Sequence, residues 1–215
     1  MKIGILGSGI VGRTLGTAFL KEGYEVMLGT RDISKPAVQE WLTENSAAKV
    51  GLFKDCASFG EILVLATSGK GTLDMIQLAE LSNFSDKVII DATNPIDTSS
   101  PEQGVMKFFT NPNNSFLEEL QNILPEAKLV KAFNSVGSAL MYQPDFDGIK
   151  PTMFICGNNT EAKLQVSKIL EQFGWEIEDM GSAVSARAIE PLCILWCIPG
   201  FLHNQWSHAF KLLKK

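Results

Sequence analysis

Side chains that commonly carry acid–base or metal chemistry are scarce in this sequence. There are two histidines, His203 and His208, both within the last thirteen residues. The four cysteines form no C-x-x-C pair; they are Cys56, Cys156, Cys193 and Cys197. Cys193 and Cys197 lie four residues apart, so a metal site is an alternative, but the Pro-Gly pair that follows should break the helix before the histidines. We therefore interpret the cysteines as small buried hydrophobic residues.

Long apolar runs and an excess of positive charge are also missing. The most apolar region, residues 192–202, is interrupted by Pro199 and Gly200 and falls short of the ~20 apolar residues that a membrane span needs. The net charge is −5 and there is no basic tract, which argues against a nucleic acid partner. The first strand pattern begins at Lys2, so we expect no signal peptide, and free cysteines then suggest a reducing cytoplasm.

A glycine-rich turn near the start of the chain carries the most specific signal. Residues 2–6 are a short apolar run typical of a buried strand, and G-x-G-x-x-G follows at once as Gly7, Ser8, Gly9, Ile10, Val11 and Gly12. A helical pattern opens inside the motif, Gly23 ends it, and residues 24–28 predict a second strand. In this context the glycines allow a tight turn, close approach of backbone to a pyrophosphate, and close helix packing. The sequence therefore predicts dinucleotide binding at a helix N-terminus, with a merely structural glycine turn as the alternative.

The end of the second strand predicts which dinucleotide is bound. An NAD site usually has Asp or Glu there, accepting from the ribose 2′-hydroxyl, whereas Thr30 and Arg31 follow here, with Lys35 one turn further. Thr30 can donate a hydrogen bond, and Arg31 can make a charge-assisted contact to a 2′-phosphate. Asp32 comes late for the ribose role, and we expect it to cap the next helix. We favour NADP over NAD; the alternative is that Arg31 and Lys35 are solvated loop charges.

Strand and helix patterns alternate along the rest of the chain, whose composition, 45% hydrophobic and 20% charged, suits one sizeable core. The predicted strands are residues 49–53, 61–66, 87–91, 128–133, 151–156 and 175–178. The predicted helices are residues 33–45, 73–81, 115–124, 160–173, 183–198 and 201–213, with a short helical turn at 55–58. This alternation predicts an α/β fold: a Rossmann-type, doubly wound, mostly parallel sheet. We expect a dinucleotide-binding domain at residues 1–134 and a smaller C-terminal α/β region with terminal helices at residues 135–215.

Polar residues follow two further strands, at the edge where ligands bind in open α/β sheets. Thr67, Ser68 and Asn94 should therefore lie beside the cofactor cleft and contact the nicotinamide half of the dinucleotide; local turn chemistry is the alternative. Residues 96–114 form a long irregular stretch, which we interpret as a candidate lid over a substrate pocket.

Lys131 and Asn134 resemble, at first glance, the Lys and Asn pair of hydroxyacid dehydrogenases. In those enzymes the pair lies on a helix, where it can act as proton donor and substrate clamp. Because Lys131 lies in a strand pattern here, we expect a structural or ionic role for it.

Several segments together resemble a known family. GSGIVG is followed by GTRD, LATS, DATNP, KAFNSVG and ARAIEPLCILW. These segments are similar to the NADP-dependent reductases typified by the F420-dependent NADP oxidoreductases of archaea and bacteria, and the same module resembles the cytoplasmic domain of six-transmembrane ferric reductases. The resemblance implies that residues 7–12 hold the pyrophosphate and that Thr30, Arg31 and Lys35 hold the 2′-phosphate. It further implies that a turn of Asn134, Ser135 and Val136 lies near two stacked rings. Asp32 stands where archaeal members often have a second basic residue, which implies a weaker NADP preference.

The resemblance implies direct hydride transfer between NADPH and a flavin-like acceptor such as the 5-deazaflavin coenzyme F420. Such transfer depends on aligning two bound rings, so we assign no catalytic side chain and no metal. Two alternatives stay open: an NADP-dependent dehydrogenase of a small carbonyl or imine substrate, disfavoured because no long all-helical domain follows, and a non-catalytic NADP-binding sensor. The expected partners are a small-molecule redox acceptor and, by family analogy and the apolar C-terminal helices, a second copy in a homodimer.

Overall fold

A six-stranded parallel sheet lies at the centre of the computed structural model, which describes residues 1–215. In chain order its strands are β1 (Lys2–Leu6), β2 (Glu25–Thr30), β3 (Lys49–Leu52), β4 (Ile62–Leu65), β5 (Val88–Asp91) and β6 (Lys128–Lys131). Their spatial order is β3-β2-β1-β4-β5-β6, and every neighbouring pair is parallel. In the central register Ile5 lies opposite both Leu28 and Val64. The predicted Rossmann-type, doubly wound fold is confirmed.

Helices cover both faces of this sheet. They are α1 (Ile10–Lys21), α2 (Pro36–Glu44), α3 (Phe53–Phe59), α4 (Gly69–Ala79), α5 (Phe116–Ile123), α6 (Thr160–Gln172), α7 (Ala186–Ile189) and α8 (Leu192–His203). Successive strand residues point to opposite faces, so Val64 joins the core under α1, α2 and α6, while Leu63 and Leu65 join the core under α3, α4, α5 and α7. Burial on both sides explains why the central strand β4, Ile-Leu-Val-Leu, is a continuous apolar run.

A smaller parallel pair, β7 (Thr152–Ile155) and β8 (Glu176–Asp179), follows the main sheet. Its connection to the main sheet is a single antiparallel bridge between Lys131 and Cys156. One apolar cluster contains both Val130 and Phe173, so this C-terminal part packs directly on the main sheet. The division at residue 134 stays a prediction.

The starts of three helices differ from the sequence-based expectation. Helix α4 begins at Gly69 rather than residue 73, and α2 begins at Pro36 rather than residue 33. Helix α3 spans seven residues, where only a short turn was expected. The Gly-Lys-Gly sequence at the start of α4 is typical of a loop, but a Cβ on Gly69 would collide with the carbonyl of Asn94. Tertiary packing therefore requires glycine in this first turn, against its low helix propensity.

The C-terminal helices were the least accurate prediction. The segment expected as one helix from residue 183 is a 3-10 turn, α7 and then α8. Helix α8 continues through Pro199 and Gly200, where a break was expected, and ends at His203.

The helix expected at residues 201–213 is wrong, because residues beyond His203 have no regular secondary structure. Asn204 adopts a left-handed conformation, φ 53° and ψ 34°, that ends α8. The ring of Trp206 then lies on Gly200, in space that a Cβ would occupy. The tail is therefore held by packing against the preceding helix, and it does not form a helix of its own.

The helical stretch Ala183–His203 is long and apolar enough to cross a membrane by length and composition alone, with 21 residues and a hydropathy of 1.3. One such helix is weak evidence for a membrane span, because a mostly buried core helix of a soluble protein meets the same criteria; 33% of the most apolar window is buried here. The stretch also contains Arg187 and Glu190, which pair with charged groups elsewhere in the fold. The absence of a membrane partner stays a prediction.

Candidate functional site

A cavity of about 280 Å³ lies at the carboxyl edge of the sheet, beside the ends of β1, β2 and β4. Strand order reverses between β1 and β4, the position where ligands bind in doubly wound sheets. Of the twelve predicted cofactor-binding residues, eight line this cavity: Gly7, Ser8, Gly9, Thr30, Arg31, Lys35, Thr67 and Ser68. The other four, Ile10, Val11, Gly12 and Asn94, are not among its lining residues. Contact with a cofactor stays a prediction for each of them.

The three glycines of the G-x-G-x-x-G turn have different surroundings. Gly7 has φ +139°, a conformation that L side chains rarely adopt, and a Cβ there would collide with the carbonyl of Ala66. A Cβ on Gly12 would collide with the carbonyl of Gly7. No atom lies within 4 Å of a Cβ built on Gly9. Only the second glycine therefore leaves open space over the backbone, and that space fits a pyrophosphate.

Unpaired backbone amides surround this open space. Helix α1 begins after Gly9, whose carbonyl accepts from Arg13 N at 3.0 Å. The amides of Gly9, Ile10 and Val11 make no hydrogen bond within the chain. Free N–H groups at a helix N-terminus, together with the helix dipole, attract anions. Ile10 and Val11 can thus serve a phosphate through their backbone while their side chains lie outside the cavity.

A chain of hydroxyl groups joins the glycine turn to the loop after β2. Ser8 Oγ donates to Thr30 Oγ1 at 3.0 Å, and Thr30 Oγ1 accepts from the amide of Asp32 at 3.3 Å. Arg31 and Lys35 are both exposed on the cavity wall, and neither forms a salt bridge. Two cations without a carboxylate partner suit a phosphate group.

Asp32 does not cap the next helix, so that prediction is wrong. The N-cap of α2 is Lys35, with Pro36 in the first helical position. Asp32 Oδ1 instead accepts from Ser34 Oγ at 2.6 Å and from the amide of Ser34 at 2.9 Å. These hydrogen bonds, the hydroxyl first, hold the pKa of the Asp32 carboxyl below its ordinary value. The carboxylate lines the cavity as a charged group already engaged by its own loop.

The third wall of the cavity comes from the end of β4 and the start of α4. Ser68 is the N-cap of α4, and its carbonyl accepts from Thr72 Oγ1 at 3.0 Å. Thr67 Oγ1 lies 2.9 Å from Thr72 Oγ1. Five further lining residues were not expected from the sequence: Phe53 at the start of α3, and Ala66, Gly71, Asp74 and Met75. A helix that begins at Gly69 places Asp74 at the cavity, so the correct start of α4 would have predicted this residue. Phe53 and Met75 are buried apolar residues, and nothing in the sequence distinguishes them from the rest of the core.

Asn94 and the turn predicted to contact the acceptor lie beside the cavity and not in it. Asn134, Ser135 and Val136 are 2%, 5% and 8% exposed. Asn94 Nδ2 donates to the carbonyl of Asn134 at 2.8 Å, and Asn134 Nδ2 donates to the carbonyl of Ile189 at 2.9 Å. These amides tie the ends of β5 and β6 to α7. Asn134 Oδ1 is buried without a hydrogen-bond partner. A role of this turn toward the acceptor stays a prediction.

The long stretch at residues 96–114 is irregular, as expected, and packs beside the start of α4. Lys70 Nζ lies 3.3 Å from Asp97 Oδ1, and the ring of Phe109 packs edge-to-face on Phe116 at 5.3 Å between centroids. Gly104 lies against Leu202 at the end of α8. The stretch therefore bridges α4 and α8, and its role as a lid stays a prediction.

Lys131 has the ionic role that its strand position indicated. Its side chain is fully buried, and Nζ lies 2.6 Å from Asp91 Oδ2, 2.9 Å from Glu190 Oε1 and 3.0 Å from the carbonyl of Thr93. Burial alone would lower the pKa of Lys131, but the two carboxylates outweigh it and raise that pKa. Glu190 also accepts from the first two amides of α5, at 2.9 and 3.0 Å. The lysine thus joins β5, β6, α5 and the end of α7.

Comparison with known proteins decides the family. A family model described as NADP oxidoreductase, coenzyme F420-dependent, matches residues 2–95. An F420-dependent NADP reductase of Methanocaldococcus jannaschii is 30% identical over 203 residues, which cover 89% of this chain and 89% of that protein. The chain belongs to the family of F420-dependent NADP oxidoreductases. This membership confirms the resemblance noted in the sequence and the prediction of an NADP-dependent oxidoreductase, and it supports NADP(H) as the cofactor.

A bacterial crystal structure and a rat protein are also similar to this chain. A crystal structure assigned as an F420-dependent NADP-reductase from Arthrobacter sp. FB24 superposes with a TM-score of 0.93, at 30% identity and with 100% of both chains covered. The rat protein Metalloreductase STEAP3 is 30% identical over 205 residues, which cover 94% of this chain but 39% of that protein. The chain therefore spans well under half the length of that metalloreductase.

Proposed function

We propose that this protein transfers a hydride between NADPH and a flavin-like acceptor such as the 5-deazaflavin coenzyme F420. The observation that carries the proposal is the glycine turn, in which open space above Gly9 is bounded by unpaired amides and lies next to Arg31 and Lys35. Family membership supports the NADP(H) end of the reaction, and the names of the Methanocaldococcus and Arthrobacter relatives support the deazaflavin end.

The chain's residues have binding and orienting roles in this proposal. Backbone amides of Gly9, Ile10 and Val11 receive the pyrophosphate, and Arg31, Lys35 and the Thr30 hydroxyl receive the 2′-phosphate. Thr67 and Ser68 on the cavity wall direct the nicotinamide half toward the acceptor. Asn94 and the buried turn at residues 134–136 support this edge of the sheet from behind through their hydrogen bonds to each other. The bound cofactor supplies the hydride, so catalysis consists of holding donor and acceptor carbons in line and excluding water.

One assay separates this function from its alternatives. Purified protein is mixed with NADPH and, in separate reactions, with coenzyme F420, with FMN or FAD, and with a ferric chelate, while absorbance of the reduced nicotinamide is followed. We expect turnover with the deazaflavin. Turnover only with the flavin or the ferric chelate would support an activity closer to that named for STEAP3. NADPH binding without turnover for any acceptor would support a sensor module, and turnover only with small ketones or imines would support a dehydrogenase.

A matched variant makes the assay specific for this site. Gly9→Ala adds one methyl group to the space above the backbone, where no atom of the chain lies within 4 Å. Every true NADPH-dependent turnover should fall in this variant, whatever the acceptor. An activity that Gly9→Ala leaves unchanged would arise elsewhere and would count against the proposal.

A further inference from the structure

The loop after β2 contains both the cations suited to NADP and the carboxylate suited to NAD. Arg31, Asp32 and Lys35 all line the cavity, and all are exposed. A carboxylate at this loop accepts a hydrogen bond from the ribose 2′-hydroxyl of NAD, whereas it repels the 2′-phosphate of NADP. The two cations therefore favour NADP and the carboxylate favours NAD. A preference for NADP requires that the carboxylate of Asp32 be restrained.

Ser34 provides that restraint. Its hydroxyl and its amide both donate to the same carboxylate oxygen of Asp32, at 2.6 and 2.9 Å. On the other side of Asp32, its own amide donates to Thr30 Oγ1, which is bonded in turn to Ser8. The backbone of Asp32 is thus held by the hydroxyl chain from the glycine turn, and its carboxylate is held by Ser34.

We propose that Ser34 is a positioning residue that sets the preference for NADPH over NADH by restraining the carboxylate of Asp32. The inference rests on the proposed binding of NADP(H) in this cavity. With the serine hydroxyl present, the carboxylate has a partner inside its loop, and Arg31 and Lys35 stay available to the 2′-phosphate. Without the hydroxyl, the carboxylate competes for those cations and for the ribose hydroxyls.

The test measures dissociation constants of NADPH and NADH for wild type, Ser34→Ala, Ser34→Thr, Asp32→Asn and the double variant Asp32→Asn/Ser34→Ala. We expect Ser34→Ala to lower the ratio of NADPH to NADH affinity by about tenfold, because one hydrogen bond to a charged group is lost. Ser34→Thr keeps a hydroxyl and should retain the wild-type ratio. In the Asp32→Asn background, adding Ser34→Ala should leave the ratio unchanged, because no charge remains to be restrained.

A second measurement follows the restraint without any cofactor. The pKa of the Asp32 carboxyl, measured by NMR titration, should rise toward its ordinary value in Ser34→Ala and stay low in Ser34→Thr. An unchanged affinity ratio in Ser34→Ala, or an equal change in the Asp32→Asn background, would overturn the inference while leaving NADPH binding intact. Wild-type protein that binds neither cofactor would instead refute the proposed function, and this inference with it.

Discussion

Single glycines decide what the turn after β1 can hold. Gly7 and Gly12 are required by the chain itself, since a Cβ at either would meet a backbone carbonyl. Gly9 is required by nothing in the chain and has an ordinary φ of −71°, which alanine also adopts. The G-x-G-x-x-G motif thus contains two structural glycines and one glycine that leaves room for a ligand.

Gly9→Ala should therefore affect cofactor binding, whereas Gly12→Ala should affect the stability of the fold. We expect Gly9→Ala to keep the wild-type melting temperature but to weaken NADPH binding by about 1–3 kcal/mol, because its methyl group takes up space over the amides. Gly12→Ala should lower the free energy of unfolding by about 1–3 kcal/mol, because its Cβ overpacks the helix against the turn. Thermal melts and NADPH titration check both. Equal destabilisation in the two variants would contradict this division.

Arg31 should discriminate between the two nicotinamide cofactors. It is exposed on the cavity wall, next to Thr30 and without a salt-bridge partner of its own. We expect Arg31→Ala to weaken NADPH binding by about 1.5–3 kcal/mol, the range for a hydrogen bond to a charged group, and to change NADH binding little. Titration with both cofactors checks this. Similar losses for the two would rule out contact with the 2′-phosphate.

At the scale of elements, charged side chains hold the C-terminal helices to the rest of the fold. Arg187 of α7 makes two hydrogen bonds to Glu118 of α5, at 2.7 and 2.9 Å. Glu118 also forms a capping box with Ser115 at the start of α5. The guanidinium, with the serine as a smaller contribution, lowers the pKa of the Glu118 carboxyl from 4.5 to about 2.

This depressed pKa predicts how stability depends on acid. The unfolded chain takes up the proton more readily than the folded one, so the contribution is complete above about pH 4.5 and is lost as pH falls toward about 2. After allowance for solvent screening, we expect it to be about 1–2 kcal/mol. Urea unfolding of wild type and Glu118→Gln along this pH range measures it. The stability difference between the two should shrink as pH falls, and a constant difference would contradict the assignment.

Because Lys131 and its partners are buried, Lys131 should contribute far more to the free energy of unfolding than Lys163, which also pairs with a carboxylate. We expect Lys131→Met to lower the free energy of unfolding by about 3–5 kcal/mol, because Asp91 and Glu190 are left buried without a counter-charge. Lys163 pairs with Asp179 at 2.8 Å, but that carboxylate is 47% exposed. Lys163→Met is the matched control and should cost about 1 kcal/mol or less. Denaturant unfolding of both variants checks the contrast, which equal costs would refute.

At the scale of the whole molecule, α8 presents an apolar stripe to solvent. Leu195 and Leu202 lie seven residues apart on one helix face and are 54% and 52% exposed, with Phe201 beside them at 46%. Large exposed apolar side chains gathered on one helix mark an interaction surface more often than a free one. The homodimer expected from family analogy would cover them.

We therefore expect the protein to sediment as a dimer and Leu195→Glu to shift it toward the monomer. Leu164 of α6 is exposed to a similar extent, 60%, and Leu164→Glu is the matched control that should leave the dimer intact. Analytical ultracentrifugation of the three proteins checks this. A monomeric wild type, or equal dissociation by both variants, would exclude α8 as the interface.

Much of this protein follows from local sequence. The apolar run before Gly7, the glycine turn and the periodic helix after it together determine the β1–α1 unit, because each is a short-range pattern with one stable conformation. The alternation of strands and helices then limits the sheet to a parallel, doubly wound one. The helix expected from residue 115 begins at Phe116, directly after its N-cap Ser115, because the capping box with Glu118 is a local pattern that satisfies its own backbone groups.

Tertiary structure decided what depends on distant neighbours. Gly69 begins a helix because the carbonyl of Asn94 leaves no room for a larger residue, and the tail beyond His203 is irregular because Trp206 packs on Gly200. The side chain of Asp32 is bonded to Ser34 and not to the helix that follows. Lys131 forms salt bridges with Asp91 and with Glu190, which is fifty-nine residues further along the chain. Differences in local propensity contribute less free energy than close packing and buried charges do. The sequence alone therefore determined the strand, glycine turn and helix that form the nucleotide-binding unit. Long-range contacts decided where the other helices begin and how the C-terminal part is attached.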